Sequence, residues 1–133
     1  MALKKKRSAY EGLQSQVRKM RTPAIEVWKN QYADKEYTIV VETPEFSCIC
    51  PKTGLPDFAS LRLEYIPDAC CLELKSYKMY LLSFRNTGIF HEHVVNRICE
   101  DVARAARPRW VRVTGQFNPR GGITTTVTRE YRR

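Results

Sequence analysis

The apolar residues of this chain change their spacing twice, and the order of those changes limits it to one broad architecture. Between Ala59 and Ile66 they alternate, with Leu61, Leu63 and Tyr65 on one face and Ser60, Arg62 and Glu64 on the other. That is the pattern of a half-buried strand. Ahead of it, Tyr37 to Phe46 is rich in β-branched residues and predicts a strand that bends or ends near Pro44. From Lys75 to Arg85 the spacing turns helical, with Tyr77, Tyr80, Leu81 and Phe84 on one stripe, until Thr87-Gly88 breaks it. A second helix is predicted from about Phe90 to Ala106 along Val94, Val95, Ile98, Val102 and Ala105, stopping ahead of Pro108. Strands return at Trp110 to Phe117 and Ile123 to Tyr131, joined by Asn118-Pro119-Arg120-Gly121-Gly122. Two strand pairs around a helix pair imply an α+β domain. Its antiparallel four-stranded sheet has two helices between the second and third strands, packed on one face. The other face needs cover as well, and neighbouring subunits can supply it.

A chain of 133 residues suits one domain with a real core, small enough for oligomerisation to be expected. No apolar run approaches the length of a membrane span. The start, Met1-Ala2-Leu3-Lys4-Lys5-Lys6-Arg7, continues polar and has no apolar core of a secretory signal, so the expected location is cytoplasmic. The net charge of +9 raises nucleic acid as a partner. Its distribution weakens that reading, because residues 1–22 carry seven basic residues against one acidic, while residues 23–128 are nearly balanced at thirteen against twelve. The excess reads as a basic tail over 1–22, ended at Thr22-Pro23, ahead of one domain over 23–133. Five cysteines, two of them adjacent (Cys70 and Cys71), do not form a disulfide framework in such a context. Neither Cys48-x-Cys50 nor His91-x-His93 has the spacing of a structural zinc site, so no metal is expected.

Chemistry concentrates in Cys50-Pro51-Lys52-Thr53-Gly54-Leu55-Pro56-Asp57. Pro51 and Pro56 stiffen the segment and Thr53-Gly54 signals a turn, so a thiol and a carboxyl are held at a reproducible separation. Nucleophilic catalysis with a proton-transfer partner needs that arrangement. Cys48 reads as packing, and Cys70, Cys71 and Cys99 as structural. His91-Glu92 opens the second helix. Glu92 is either a first-turn acid favoured by the helix dipole or an acceptor for the N–H edge of a purine-like ring, with His91 adding a contact. Glu73, ahead of the first helix, carries the same two readings. Lys75 and Lys78 are a solvated flank or a phosphate-binding pair. Arg120 places a cation on a glycine turn where backbone can approach a ligand closely.

Taken together, Cys50-Pro-Lys-Thr-Gly-Leu-Pro-Asp57-Phe58, Glu73-Leu-Lys-Ser-Tyr-Lys-Met-Tyr80, Ser83-Phe-Arg-Asn86, Phe90-His-Glu92 and Pro119-Arg-Gly-Gly122 resemble the NADPH-dependent nitrile reductases of queuosine biosynthesis. These are the 7-cyano-7-deazaguanine (preQ0) reductases of QueF type, in their short single-module form, and the resemblance spans roughly residues 37–131. It implies the tunnelling fold, in which subunits pool their strands into a barrel, commonly a decamer of two stacked pentamers with sites between subunits. It implies reduction of the preQ0 nitrile to the aminomethyl group of preQ1 by NADPH. Cys50 would then form a covalent thioimide and Asp57 would protonate the nitrile nitrogen. Leu72, Glu73, Leu74, His91 and Glu92 would bind substrate, and Lys75, Lys78 and Arg120 the cofactor. A related reading on the same scaffold is an amidine-forming enzyme acting on preQ0 already in tRNA, whose members share the Cys and Asp but lack the Glu73–Tyr80 signature. A basic RNA-binding module is the reading from another class.

Overall fold

The four predicted strands form one antiparallel sheet in the computed structural model, which describes Ser8 and residues 12–133. In chain order the elements are β1 (Val27–Lys29), β2 (Ile39–Ile49), β3 (Pro56–Ile66), β4 (Cys70–Leu72), α1 (Leu74–Leu82), α2 (His91–Ala106), β5 (Trp110–Arg120) and β6 (Ile123–Arg132). The large sheet has the order β2-β3-β5-β6. The protein is thus α+β, with both helices between β3 and β5 in sequence. A second, two-stranded sheet pairs β1 with β4. Its three-residue strands are too short to show a period, so the sequence pattern did not reveal them.

Strand β2 does not end at Pro44. It continues to Ile49 through a register shift between Thr43 and Phe46, where one extra residue is inserted against β3. Proline lacks the ladder N–H, so a bulge is where a strand tolerates it. The insertion also changes which residues face inward. Val41 pairs with Leu63 before it, and Phe46 and Cys48 pair with Ala59 and Asp57 after it. An odd-numbered inward set thereby becomes an even-numbered one, and Phe46 and Cys48 are buried.

Helix α2 lies across this inward face, with Val94, Val95, Ile98 and Val102 fully buried against Leu61, Leu63, Val111 and Val113. The closest approach is at Gly115 on β5. A Cβ there would stand 2.7 Å from Val95 Cγ2 and 3.0 Å from Phe117 Cε2. Both neighbours are locked in the core, so Gly115→Ala is expected to cost about 1–3 kcal/mol through overpacking. A lowered urea midpoint checks this, and an unchanged midpoint would mean that α2 can lift off the sheet. The opposite face mixes exposed Val40 and Phe58 with ion pairs: Arg112 donates to both oxygens of Glu64 at 2.8 and 3.1 Å, and Arg62 pairs with Glu42.

Of the stretch 1–22 read as a basic tail, residues 1–7 and 9–11 lie outside the described residues. Farther along, Arg97 of α2 donates to the carbonyls of Val17 and Met20 at 2.7 and 2.6 Å. Arg97 is held in turn by Asp101 Oδ2 at 2.7 Å, which also accepts from the Tyr80 hydroxyl at 2.5 Å. Burial, then the charge of Asp101, pushes the Tyr80 hydroxyl far above its ordinary range, so it stays a donor. No helix among the described residues is long and apolar enough to cross a membrane.

Candidate active site

Cys50 opens the connection between β2 and β3, and that connection is closed on itself. The Cys50 N–H donates to the Leu55 carbonyl and the Cys50 carbonyl accepts from the Gly54 N–H, both at 2.9 Å. Gly54 takes φ +72°, a left-handed conformation that glycine adopts without strain. Asp57 differs slightly from the sequence expectation, because it lies on β3 rather than in the loop. It faces Cys48 across the β2–β3 ladder, and only 4% of its surface is exposed.

A parallel bridge between Ile49 and Gly88 brings the second part of the site to this loop. Ile49 N–H donates to the Thr87 carbonyl and Ile89 N–H to the Ile49 carbonyl, both at 2.9 Å. The connector ahead of α2 therefore runs beside the Cys50 loop. His91 and Glu92, on the first turn of α2, enter the same cavity. The His91 ring stacks on Phe117 of β5, with centroids 3.8 Å apart and planes within 9°.

The third part is the β5–β6 turn. Gly121 and Gly122 both have positive φ, +59° and +79°, as a tight two-residue hairpin turn requires. A register shift between Phe117 and Arg120, where Pro119 stands, puts Arg120 on the same face as Phe117. Arg120 Nη1 then lies 3.0 Å from Asp57 Oδ1, and His91 Nε2 lies 3.0 Å from Asp57 Oδ2. These are ion-pair separations without hydrogen-bond alignment. Asp57 Oδ1 and His91 Nε2 remain buried polar atoms with no hydrogen-bonded partner among the described residues. A ligand with matching polar atoms would supply the hydrogen bonds these atoms do not make here.

The thiols divide sharply. Burial alone would raise the Cys50 thiol, but hydrogen bonds from the Thr53 side chain and backbone, the Lys52 backbone and Arg120 outweigh it and lower it to about 7. Cys48 is pushed up to about 12, first by burial and then by the charge of Asp57. The lowered thiol is Cys50, at the cavity, and the raised one is Cys48, buried in the core. Thr53, which the sequence reading named only as a turn former, also accepts from the Leu55 N–H at 3.2 Å. The whole arrangement lines a cavity of about 400 Å³, enough for a bicyclic small molecule.

Five of the anticipated residues, Cys50, Asp57, His91, Glu92 and Arg120, therefore meet in one cavity. The others lie elsewhere in the chain. Leu72 is buried in the core, and Leu74 is exposed. The Glu73 carboxylate caps α1, accepting from the N–H groups of Lys75 and Ser76 at 2.9 and 2.6 Å. Lys75 is exposed beside it, and Lys78 lines a separate groove of about 610 Å³ between β2 and α1, together with Leu74, Tyr77, Leu81 and Arg85.

Comparison with known proteins gives a consistent set. Residues 56–133 match a family model described as QueF-like protein. A protein of Syntrophus aciditrophicus named NADPH-dependent 7-cyano-7-deazaguanine reductase is 55% identical over 109 residues, covering 82% of this chain and 78% of the relative. Proteins of the same name from Nitrosococcus oceani and Chlorobaculum tepidum are 53% and 52% identical. They cover 81% and 84% of this chain, and 84% and 96% of their own length. Among solved structures, the archaeosine synthase QueF-Like in its apo form superposes with a TM-score of 0.66. It is 27% identical, over 70% of this chain and 91% of that one.

Proposed function

This chain belongs to the QueF-like family, and we propose that it reduces the nitrile of 7-cyano-7-deazaguanine to the aminomethyl group, with NADPH, in queuosine biosynthesis. What carries the reading to this chain's own residues is the meeting of a low-pKa thiol, Cys50, with a buried carboxyl, Asp57, in one cavity. The Cys50 thiolate attacks the nitrile carbon, forming a C–S bond as one C–N π bond breaks. The electron pair goes to nitrogen, which needs a proton at that moment. Asp57 passes it the proton that the thiol gave up, so sulfur loses and nitrogen gains one proton. Arg120 stands between the two groups and offsets the repulsion that an ionised carboxylate would exert on a thiolate. Glu92 and His91 fit the N–H edge and face of a purine-like ring, with Phe117 holding the imidazole plane.

NADPH, when bound, would supply the two hydrides that take the thioimide carbon to the amine, with the C–S bond broken between them so that the Cys50 thiol is returned. The groove along α1 is the candidate for it, since Lys78 and Arg85 stand on its helical side, across from Glu42 and Glu45 of β2, and Lys75 is exposed at the helix start. In one chain this groove and Glu73 are separate from the Cys50 cavity. The reading therefore includes a tunnelling-fold barrel in which neighbouring subunits complete each site, as two stacked pentamers in the family's short form. Its support is that β2 and β6 are both edges of the sheet, while Leu74, Met79 and Leu82 of α1 are exposed.

Incubation with 7-cyano-7-deazaguanine and NADPH is expected to give nitrile-dependent loss of the nicotinamide absorbance and the primary amine by mass spectrometry. Absence of NADPH oxidation overturns the reductase reading. An amidine formed from ammonia and the nitrile carried in tRNA, without NADPH, would favour the amidine-forming reading instead.

A further inference from the structure

Helix α2 begins without a cap of its own. Its N-cap residue is Phe90, which has no side chain able to accept a hydrogen bond from the first turn. The missing acceptor arrives from the other end of the sequence. Gln14 Oε1 accepts from the Phe90 N–H at 3.1 Å and lies 2.9 Å from Nδ1 of His93, the third helical residue. Gln14 Nε2 donates to the Gly88 carbonyl at 3.3 Å. A capping box satisfies the N-cap N–H from the third helical residue of the same helix. Here one amide side chain does so from outside the helix and also holds that third residue.

The placement matters because of what lies between the two contacts. His91 and Glu92 are the residues flanked by Phe90 and His93, and both enter the Cys50 cavity. The connector leading to them is pinned on one side by Ile49, through the bridge to Gly88, and on the other by Gln14. The segment carrying Gln14 is itself fixed downstream, where Arg97 holds the carbonyls of Val17 and Met20. Between that segment and α2 an open cleft of about 510 Å³ remains. The helix start is packed on its sheet side through His91 and Phe117, and on the cleft side the Gln14 amide ties it to the preceding segment.

We propose that Gln14 is a positioning residue that caps α2 from outside and thereby sets His91 and Glu92 at the geometry that binds the nitrile substrate. The proposal rests on the reading that these two residues hold substrate. Gln14 touches neither substrate nor the reacting thiol, so its loss acts on KM for the nitrile rather than on the nucleophile.

The test compares Gln14→Ala and Gln14→Glu in the full chain. Gln14→Glu keeps the oxygen acceptor for the Phe90 N–H and gives up the donor to the Gly88 carbonyl, a loss offset by the favourable placement of a carboxylate at a helix N-terminus. Gln14→Ala is expected to raise KM for 7-cyano-7-deazaguanine roughly five- to twentyfold, the equivalent of about 1–2 kcal/mol of one lost cap. Iodoacetamide alkylation of Cys50 is expected to stay near wild type and the urea midpoint to fall only by what one lost cap accounts for, with Gln14→Glu close to wild type in all three. An unchanged KM in Gln14→Ala overturns the proposal, as does an equal rise in Gln14→Glu. Amide hydrogen exchange at Phe90 gives a readout that needs no turnover, with faster exchange in Gln14→Ala and protection in Gln14→Glu. If wild type oxidises no NADPH, the functional reading fails, and the exchange result alone decides whether Gln14 caps the helix. Unchanged exchange in Gln14→Ala overturns the capping itself.

Discussion

Cys50→Ala is expected to abolish nitrile reduction, a loss of roughly 10⁴-fold or more, because no other group on the cavity can replace the nucleophile. Cys48 is the nearest candidate in sequence, and its thiol, pushed up to about 12 by burial and by Asp57, holds its proton at any pH at which the enzyme works. Intact-protein mass measurement after adding 7-cyano-7-deazaguanine without NADPH separates the two. An adduct of one nitrile is expected in wild type and in Cys48→Ala, and none in Cys50→Ala. The pH dependence carries a sign. Cys50 is lowered to about 7, so its reactive thiolate is lost as pH falls through that value and is fully present above it. Adduct formation and iodoacetamide alkylation should therefore fall about tenfold per pH unit below 7 and level off above it. A midpoint near the ordinary thiol value would mean that Thr53, Lys52 and Arg120 do not stabilise the thiolate. An adduct that survives Cys50→Ala would overturn the assignment altogether.

Much of this arrangement can be read from local pattern, and the parts that cannot share a cause. The alternation of Leu61, Leu63 and Tyr65 and the stripe Val94, Val95, Ile98 and Val102 locate β3 and α2 because each element repeats its period enough times to be seen. Pro44 leaves open whether β2 bends or ends there, because a bulge, invisible to periodicity, lets the strand continue and turns Cys48 inward. Glu73 carried two readings, and within this chain it caps α1. The site itself depends on long-range register. Arg120 reaches Asp57 only because two turns at the same end of the sheet lie side by side, and His91 joins them only through the Ile49–Gly88 bridge. Gln14 gives no local signal of this role, since Gly88, Phe90 and His93 are more than seventy positions away. Residue types announced the chemistry; the pairing of distant strands decides which of those residues meet.

Asp57→Asn should show the second large effect, and the form of the loss matters more than its size. Turnover is expected to fall roughly 10²–10⁴-fold, the contribution of a positioned proton donor. Asparagine keeps an oxygen where Arg120 Nη1 now lies 3.0 Å from Asp57 Oδ1, so the shape of the cavity is preserved. What it removes is a negative charge beside two cysteines. Without that charge the Cys50 thiolate is no less favoured, and Arg120 is left to act on the sulfur alone. Alkylation of Cys50 at pH 7 should then be as fast as in wild type or faster, while nitrile capture slows because nitrogen receives no proton as the C–S bond forms. That split between an intact thiolate and a failed addition is the signature of a proton donor. If alkylation and nitrile capture fall together, Asp57 serves to hold the Cys50 loop in place.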